Sequence, residues 1–319
     1  MKSSRLSALG SRLLVLGLLA VASNAAAQTK LVIVSGLGGT PKYTKDFADL
    51  ANAMASAARE RAGIPDSAIT WYGDPAAAKS KWYRGPSLKD TLEAAFARLA
   101  AHPLTEQLVL VLIGHGSGEA EETRISLPGP DLSAKDFRRI LAAQGARRVA
   151  FVNLTSASGD MMGVLAAPGR VVITATKSAF ERNESHFGEF FIGAFAKDGA
   201  DTDKDNRVSL LEAFAYAEAE TKRLYETDSR MLTEHAQIAD ESGVAKQFFL
   251  TPGAMQHGAA DARLTALYND RFALDEQIQA LKKKKATMPE DAYEAALEKL
   301  MVSLAQKAKE IRLLEKGSS

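Results

Sequence analysis

Two groups of residues in this chain have the types and spacing that chemistry needs. The first is split between two places: Gly114-His115-Gly116 follows the apolar run Leu108 to Ile113, and Thr155-Ser156 follows Arg148 to Leu154. An imidazole can move a proton and a hydroxyl can attack a carbonyl. Glycine beside the imidazole lets a backbone N–H face a developing oxyanion. The serine lacks the Gly-x-Ser-x-Gly turn of a nucleophile elbow, and the same residues also suit a turn histidine and a helix-capping serine.

The second group is continuous. From Asp201 to Glu212 the chain follows the twelve-residue EF-hand scheme, with side-chain oxygens of Asp201, Asp203, Asp205 and Ser209 at the first, third, fifth and ninth places. Glu212 stands at the twelfth place, where a carboxylate closes on the ion with both oxygens. Arg207 at the seventh supplies only its carbonyl. Asn206 replaces the usual glycine and tolerates positive φ better than most residues. The expected ion is Ca2+, since magnesium takes fewer carboxylates and keeps its waters. A single loop of this kind is expected to stabilise rather than to sense. His102, His186, His235 and His257 have no partner three or four residues away, so no zinc site is expected.

These residues need elements to position them. Short apolar runs recur at Leu31–Val34, Ile69–Tyr72, Leu108–Ile113, Val149–Val152 and Val171–Thr174. Between them Asp46–Arg61, Leu88–Ala101 and Ala134–Ala143 repeat apolar residues at three- and four-residue spacing. Continuous apolar strands alternating with helices predict a mostly parallel sheet covered on both faces. In such a sheet His115 and Ser156 leave the same edge, where crevices form. Helices Phe187–Ala196 and Leu210–Tyr225 are expected to flank the acidic loop.

Beyond a linker at 251–261 the pattern changes to heptad spacing (Leu264, Leu267, Leu274, Ile278, Leu281, then Leu297, Leu300, Leu304, Ile311, Leu314). With a helix start at Thr287-Met288-Pro289-Glu290, this predicts a helical hairpin or coiled coil over 262–315. Arg271 and Lys307 interrupt the stripes, and Lys282–Lys285 reads as a solvated helix end.

Composition narrows the field. The 319 residues carry 40 Lys+Arg against 39 Asp+Glu, too balanced for a nucleic-acid partner. The absence of cysteine removes disulfides, thiolate metal sites and cysteine nucleophiles. Lys2, Arg5 and Arg12, a short greasy run over 13–22 and Ala25-Ala26-Ala27 have the layout of a signal peptide over 1–27, so the chain is expected to be exported, periplasmic or secreted. No segment is long enough to span a membrane.

Taken in order, a further set of motifs suggests a family. Ser35-Gly36 follows the first strand, and Gly63-Ile64-Pro65-Asp66 precedes the second. His115-Gly116 is followed by Pro130-Asp131-Leu132 and Lys135-Asp136. Ser158-Gly159-Asp160-Met161-Met162 follows the fourth strand, and Thr174-Ala175-Thr176 ends the fifth. Over 31–195 the chain resembles the legumain-like cysteine peptidases, relatives of the caspases and of the catalytic subunit of the glycosylphosphatidylinositol transamidase.

The resemblance implies a caspase/legumain-like, mostly parallel α/β sheet over 28–250. It makes His115 the general base and the Gly116 N–H an oxyanion donor, and it puts Ser156 where the family's nucleophilic cysteine stands. Leu154-Thr155 replace the family's Glu-Ala. The asparagine that orients the histidine falls in Gly36-Leu37-Gly38-Gly39, and the basic pocket residue falls on Lys45. A serine needs a base oriented by a third group; Asp160 and Glu181 are the available carboxylates. The expected function is therefore a non-catalytic pseudopeptidase that binds calcium and a peptide or protein partner, with Lys177–Phe187 overhanging the crevice. The alternatives are a serine-dependent peptidase or esterase using Ser156 and His115, and a scaffold that oligomerises through its C-terminal helices.

Overall fold

The structure, a computed structural model, describes residues 29–101, 107–145, 148–197, 199–205, 207–250 and 262–317. The expected signal peptide and linker, and His102, Asn206 and His257, lie outside them. Five parallel strands form the body of one sheet: β1 (Thr29–Ser35), β2 (Ile69–Gly73), β4 (Gln107–Ile113), β8 (Arg148–Asn153) and β9 (Arg170–Thr174). A short parallel β3 (Tyr83–Pro86) closes one edge and an antiparallel β10 (Gln237–Ala239) the other. The order is β10-β9-β8-β4-β1-β2-β3.

Alternate residues of each strand point to opposite faces, and both faces are buried. Leu31, Ile33, Val109, Val111, Ala150 and Val152 pack beneath α1 (Pro41–Glu60), α5 (Phe187–Ala196) and α6 (Leu210–Thr227). Val32, Val34, Leu108, Leu110, Leu112 and Phe151 pack beneath α2 (Lys89–Ala101), α3 (Ala134–Ala142) and α4 (Met161–Leu165). This is the mixed α/β architecture that the apolar runs predict. The edge strands β3 and β10 escape that pattern because neither carries an apolar run. Among the described residues no helix is long and apolar enough to cross a membrane.

Two details of the fold matter for the site. Helix α1 begins at Pro41, well before the expected Asp46, because Thr40 caps it by accepting from the Tyr43 N–H and proline occupies the first turn. After β4 the chain forms a small antiparallel sheet of β5 (Gly116–Ser117), β6 (Arg124–Ile125) and β7 (Leu132–Ser133), which runs into α3 through a Ser133/Asp136 capping box. Helices α7 (Ala262–Lys283) and α8 (Glu290–Gly317) pack on each other through Leu267, Ile311 and Leu314.

Candidate functional site

Strands β4 and β8 are neighbours, with Leu112 opposite Asn153, so His115 and Ser156 leave the same sheet edge. The contact between the two segments is close. The Gly116 N–H donates to Ser156 Oγ at 3.3 Å, and a methyl group at Gly116 would lie 2.2 Å from the Ser156 carbonyl oxygen. Only glycine fits there. Ser156 is buried, and Ala157 after it holds a left-handed φ of 52°, fixed by its N–H donating to the Glu181 carbonyl at 2.8 Å.

The imidazole of His115 has a different neighbourhood from the one a triad needs. It packs edge-on against the rings of Tyr43 (4.7 Å between centroids) and Phe47 (5.0 Å), both from α1. Among the described residues its ring makes no hydrogen bond to Ser156 or to a carboxylate. The loop 36–39 that replaces the family's asparagine contributes backbone alone: Gly36 N–H donates to the Ile113 carbonyl and Leu37 N–H to the Ser126 carbonyl, each at 2.8 Å.

Both candidate carboxylates hold other partners. Asp160 accepts from Ala120 N–H at 3.0 Å and Ala179 N–H at 3.3 Å, tying two rim loops together. Glu181 holds a different histidine: its Oε1 lies 2.5 Å from Nδ1 of His235, and its Oε2 accepts from the backbone N–H groups of Lys177 and His235. Burial pushes the Glu181 carboxyl up, but the hydrogen bonds from Lys177 and His235 outweigh it and leave it below the ordinary range. Lys45 pairs with Asp49 on the exposed face of α1.

The overhanging segment is fastened across the crevice. Glu184 accepts from Lys42 Nζ at 3.1 Å and from the Tyr43 hydroxyl at 3.4 Å. At its far end Glu234, almost fully buried, accepts from Ser185 Oγ and from the His186 and Phe187 N–H groups, holding the start of α5. Tyr43, Phe47, Glu184 and Glu234 escaped the sequence reading. The Thr40-Pro41 helix start was the signal that would have placed Tyr43 on α1.

At the acidic loop, carboxylate oxygens of Asp201, Asp203 and Asp205 lie within 4.8 Å of one another. An oxygen-only donor set of that span suits Ca2+, whose Ca–O distances run about 2.3–2.6 Å. Arg207 turns its guanidinium onto the ring of Phe249, 3.5 Å from the centroid, which leaves its carbonyl for the seventh place. Ser209 caps α6, and Glu212 completes the capping box through Oε2 while Oε1 accepts from the Thr202 and Asp203 N–H groups. Glu212 thus reaches back to the start of the loop. Burial, then repulsion from Asp203 and Asp201, pushes the Asp205 carboxyl up to about 7.

No protein-family model matches this chain, and no curated protein does. Among solved structures it is similar to caspase-1 from Spodoptera frugiperda, at 8% sequence identity and a TM-score of 0.44, over 73% of this chain and 92% of that one. The chain's own contacts define an α/β protein whose His115 and Ser156 segments meet at the carboxyl edge of its parallel sheet.

Proposed function

We propose that this chain is an exported, calcium-stabilised α/β protein that binds a peptide or protein partner at the His115–Ser156 crevice without hydrolysing it. We place it among degenerate relatives of the legumain-like peptidases, on the order of its motifs. The observation that carries this reading is the packing of the His115 imidazole against Tyr43 and Phe47, with Asp160 and Glu181 committed elsewhere. A serine hydroxyl is a weak nucleophile until a fixed base removes its proton, and a base needs a partner to fix it. Support for calcium comes from the ligand spacing and from the three convergent carboxylates. The export reading is supported by the N-terminal sequence pattern.

Two measurements test the crevice. The mature chain is expected to resist a fluorophosphonate probe, and Ser156→Cys is expected to cleave no peptide substrate. Covalent labelling that Ser156→Ala removes would replace this reading by the serine-hydrolase one. Peptidase activity in Ser156→Cys would show that the remaining machinery works.

A further inference from the structure

The two basic residues that interrupt the heptad stripes have separate partners. Lys307 on α8 reaches Asp270 on α7 at 2.8 Å and joins the two helices. Arg271, the next residue of α7, points away from that pair and onto the acidic loop. Its Nη1 donates to the Lys204 carbonyl at 3.4 Å and its Nη2 to the Asp203 carbonyl at 3.5 Å, and Nη2 lies 3.8 Å from Asp203 Oδ1. The Arg271 side chain is only 15% exposed. A guanidinium in this position is a fork across two consecutive carbonyls with a carboxylate beside it.

We infer that the C-terminal hairpin docks on the loop through Arg271, whose charge serves the loop as an internal counter-cation, so that calcium entry and hairpin docking oppose each other. This rests on the calcium reading proposed above. Asp203 is the third-place ligand of the EF-hand scheme, so calcium and Arg271 draw on the same carboxylate. An ion bound by that carboxylate puts a double positive charge within a few ångströms of the guanidinium. Arg207, another cation near the cluster, is held by its stacking on Phe249. Because the coupling is reciprocal, calcium weakens hairpin docking by the same factor by which docking through Arg271 weakens calcium binding, so loss of the Arg271 charge raises calcium affinity.

The test compares the full mature chain with Arg271→Met, which keeps an unbranched, largely apolar stem and removes the charge. Calcium binding is measured by titration calorimetry, and hairpin release by hydrogen exchange and limited proteolysis over 262–317, each with calcium and with chelator. Arg271→Met is expected to bind calcium about fivefold more tightly or better, within the usual range of coupling. Calcium is expected to speed exchange and cleavage in α7 of the natural chain. Equal or weaker calcium binding by Arg271→Met, or calcium-induced protection of α7, overturns the proposal while leaving the calcium site in place. No binding heat in either protein removes the calcium reading and the opposition with it. The docking half is still read in chelator, where Arg271→Met must be cleaved faster in α7 than the natural chain, and equal cleavage overturns it.

Discussion

The crevice and the acidic loop both gather polar side chains at one place, and they differ in what those side chains have found. At the crevice Asp160 holds two backbone N–H groups, Glu181 holds His235, and Glu184 joins Lys42 to Tyr43. In the loop Asp201, Asp203 and Asp205 turn oxygens toward one another. The loop carboxylates also accept backbone N–H groups, but unlike those at the crevice all three lie within 4.8 Å of one another, and like charges that close favour a cation among them. Residue types alone made the two sites equally chemical. Their partners separate them, and the consequences can be ranked by size.

The largest effect belongs to the loop. If the loop binds calcium with the Kd of ~10⁻⁴ M usual for extracellular modules, calcium at about 10 mM stabilises by about 2.7 kcal/mol, worth roughly 5 °C or more in melting temperature. Asp201→Ala combined with Glu212→Ala is expected to abolish the shift, and Ser156→Ala to keep it whole. Differential scanning fluorimetry with calcium and with chelator checks this, and a natural chain that melts alike in both would remove the contrast between the two regions.

Next comes the crevice floor. A Cβ at Gly116 meets the Ser156 carbonyl oxygen at 2.2 Å, and that oxygen belongs to backbone that cannot rotate aside. Gly116→Ala is expected to destabilise by about 1–3 kcal/mol, the cost of overpacking, read from the urea midpoint. A neutral result would mean that the β4 and β8 ends are further apart than the Gly116–Ser156 hydrogen bond requires.

pH separates the regions by sign. Burial and the neighbouring aspartates raise Asp205 to about 7 in the folded, calcium-free chain, above its unfolded value of ~3.9. Its contribution is therefore complete below about pH 4 and is lost as pH rises toward 7. Glu181 is shifted the other way: its contribution is present above the ordinary glutamate range and is lost as pH falls through its lowered value. In chelator, Asp205→Asn is expected to gain most stability over the natural chain at pH 8 and little below about pH 4. Glu181→Gln is expected to lose stability at pH 8 and to converge with the natural chain in acid. Parallel melting curves for all three across pH would show that neither carboxylate is held as described.

How much of this was legible in the sequence follows from the physics of each signal. Strands buried on both faces announce themselves as unbroken apolar runs, so the central strands and their helices could be read directly. Strands β3 and β10 and the β5–β7 sheet are short and polar, and they exist because neighbouring strands offer hydrogen bonds. The acidic loop was readable because its proposed ligands lie within twelve consecutive residues. The crevice was half readable. Periodicity placed His115 and Ser156 at one edge, but Tyr43 lies in a helical turn before the expected start at Asp46, and nothing local to Phe47, just inside that helix, says that it faces the histidine. The partners of Asp160 and Glu181 are backbone groups and a histidine far along the chain, which no local pattern reports.

The smallest expected effect bears most directly on the histidine. If His115 is an aromatic wedge between Tyr43 and Phe47, the ring matters and its nitrogens do not. Edge-to-face pairs of this kind contribute about 0.5–1.5 kcal/mol beyond the area they bury. His115→Phe keeps a flat ring of similar size at the same two neighbours, and it leaves no stranded hydrogen-bond partner because the imidazole has none among the described residues. His115→Phe is therefore expected to fall within about 1 kcal/mol of the natural chain, and His115→Ala to lose the pair contribution and some packing with it. A loss above about 2 kcal/mol in His115→Phe with His115→Ala no worse would mean that an imidazole nitrogen is engaged, because removing a hydrogen-bonded group and burying its former partner costs that much. In that case the crevice would join the loop as a place where polar chemistry is held for use.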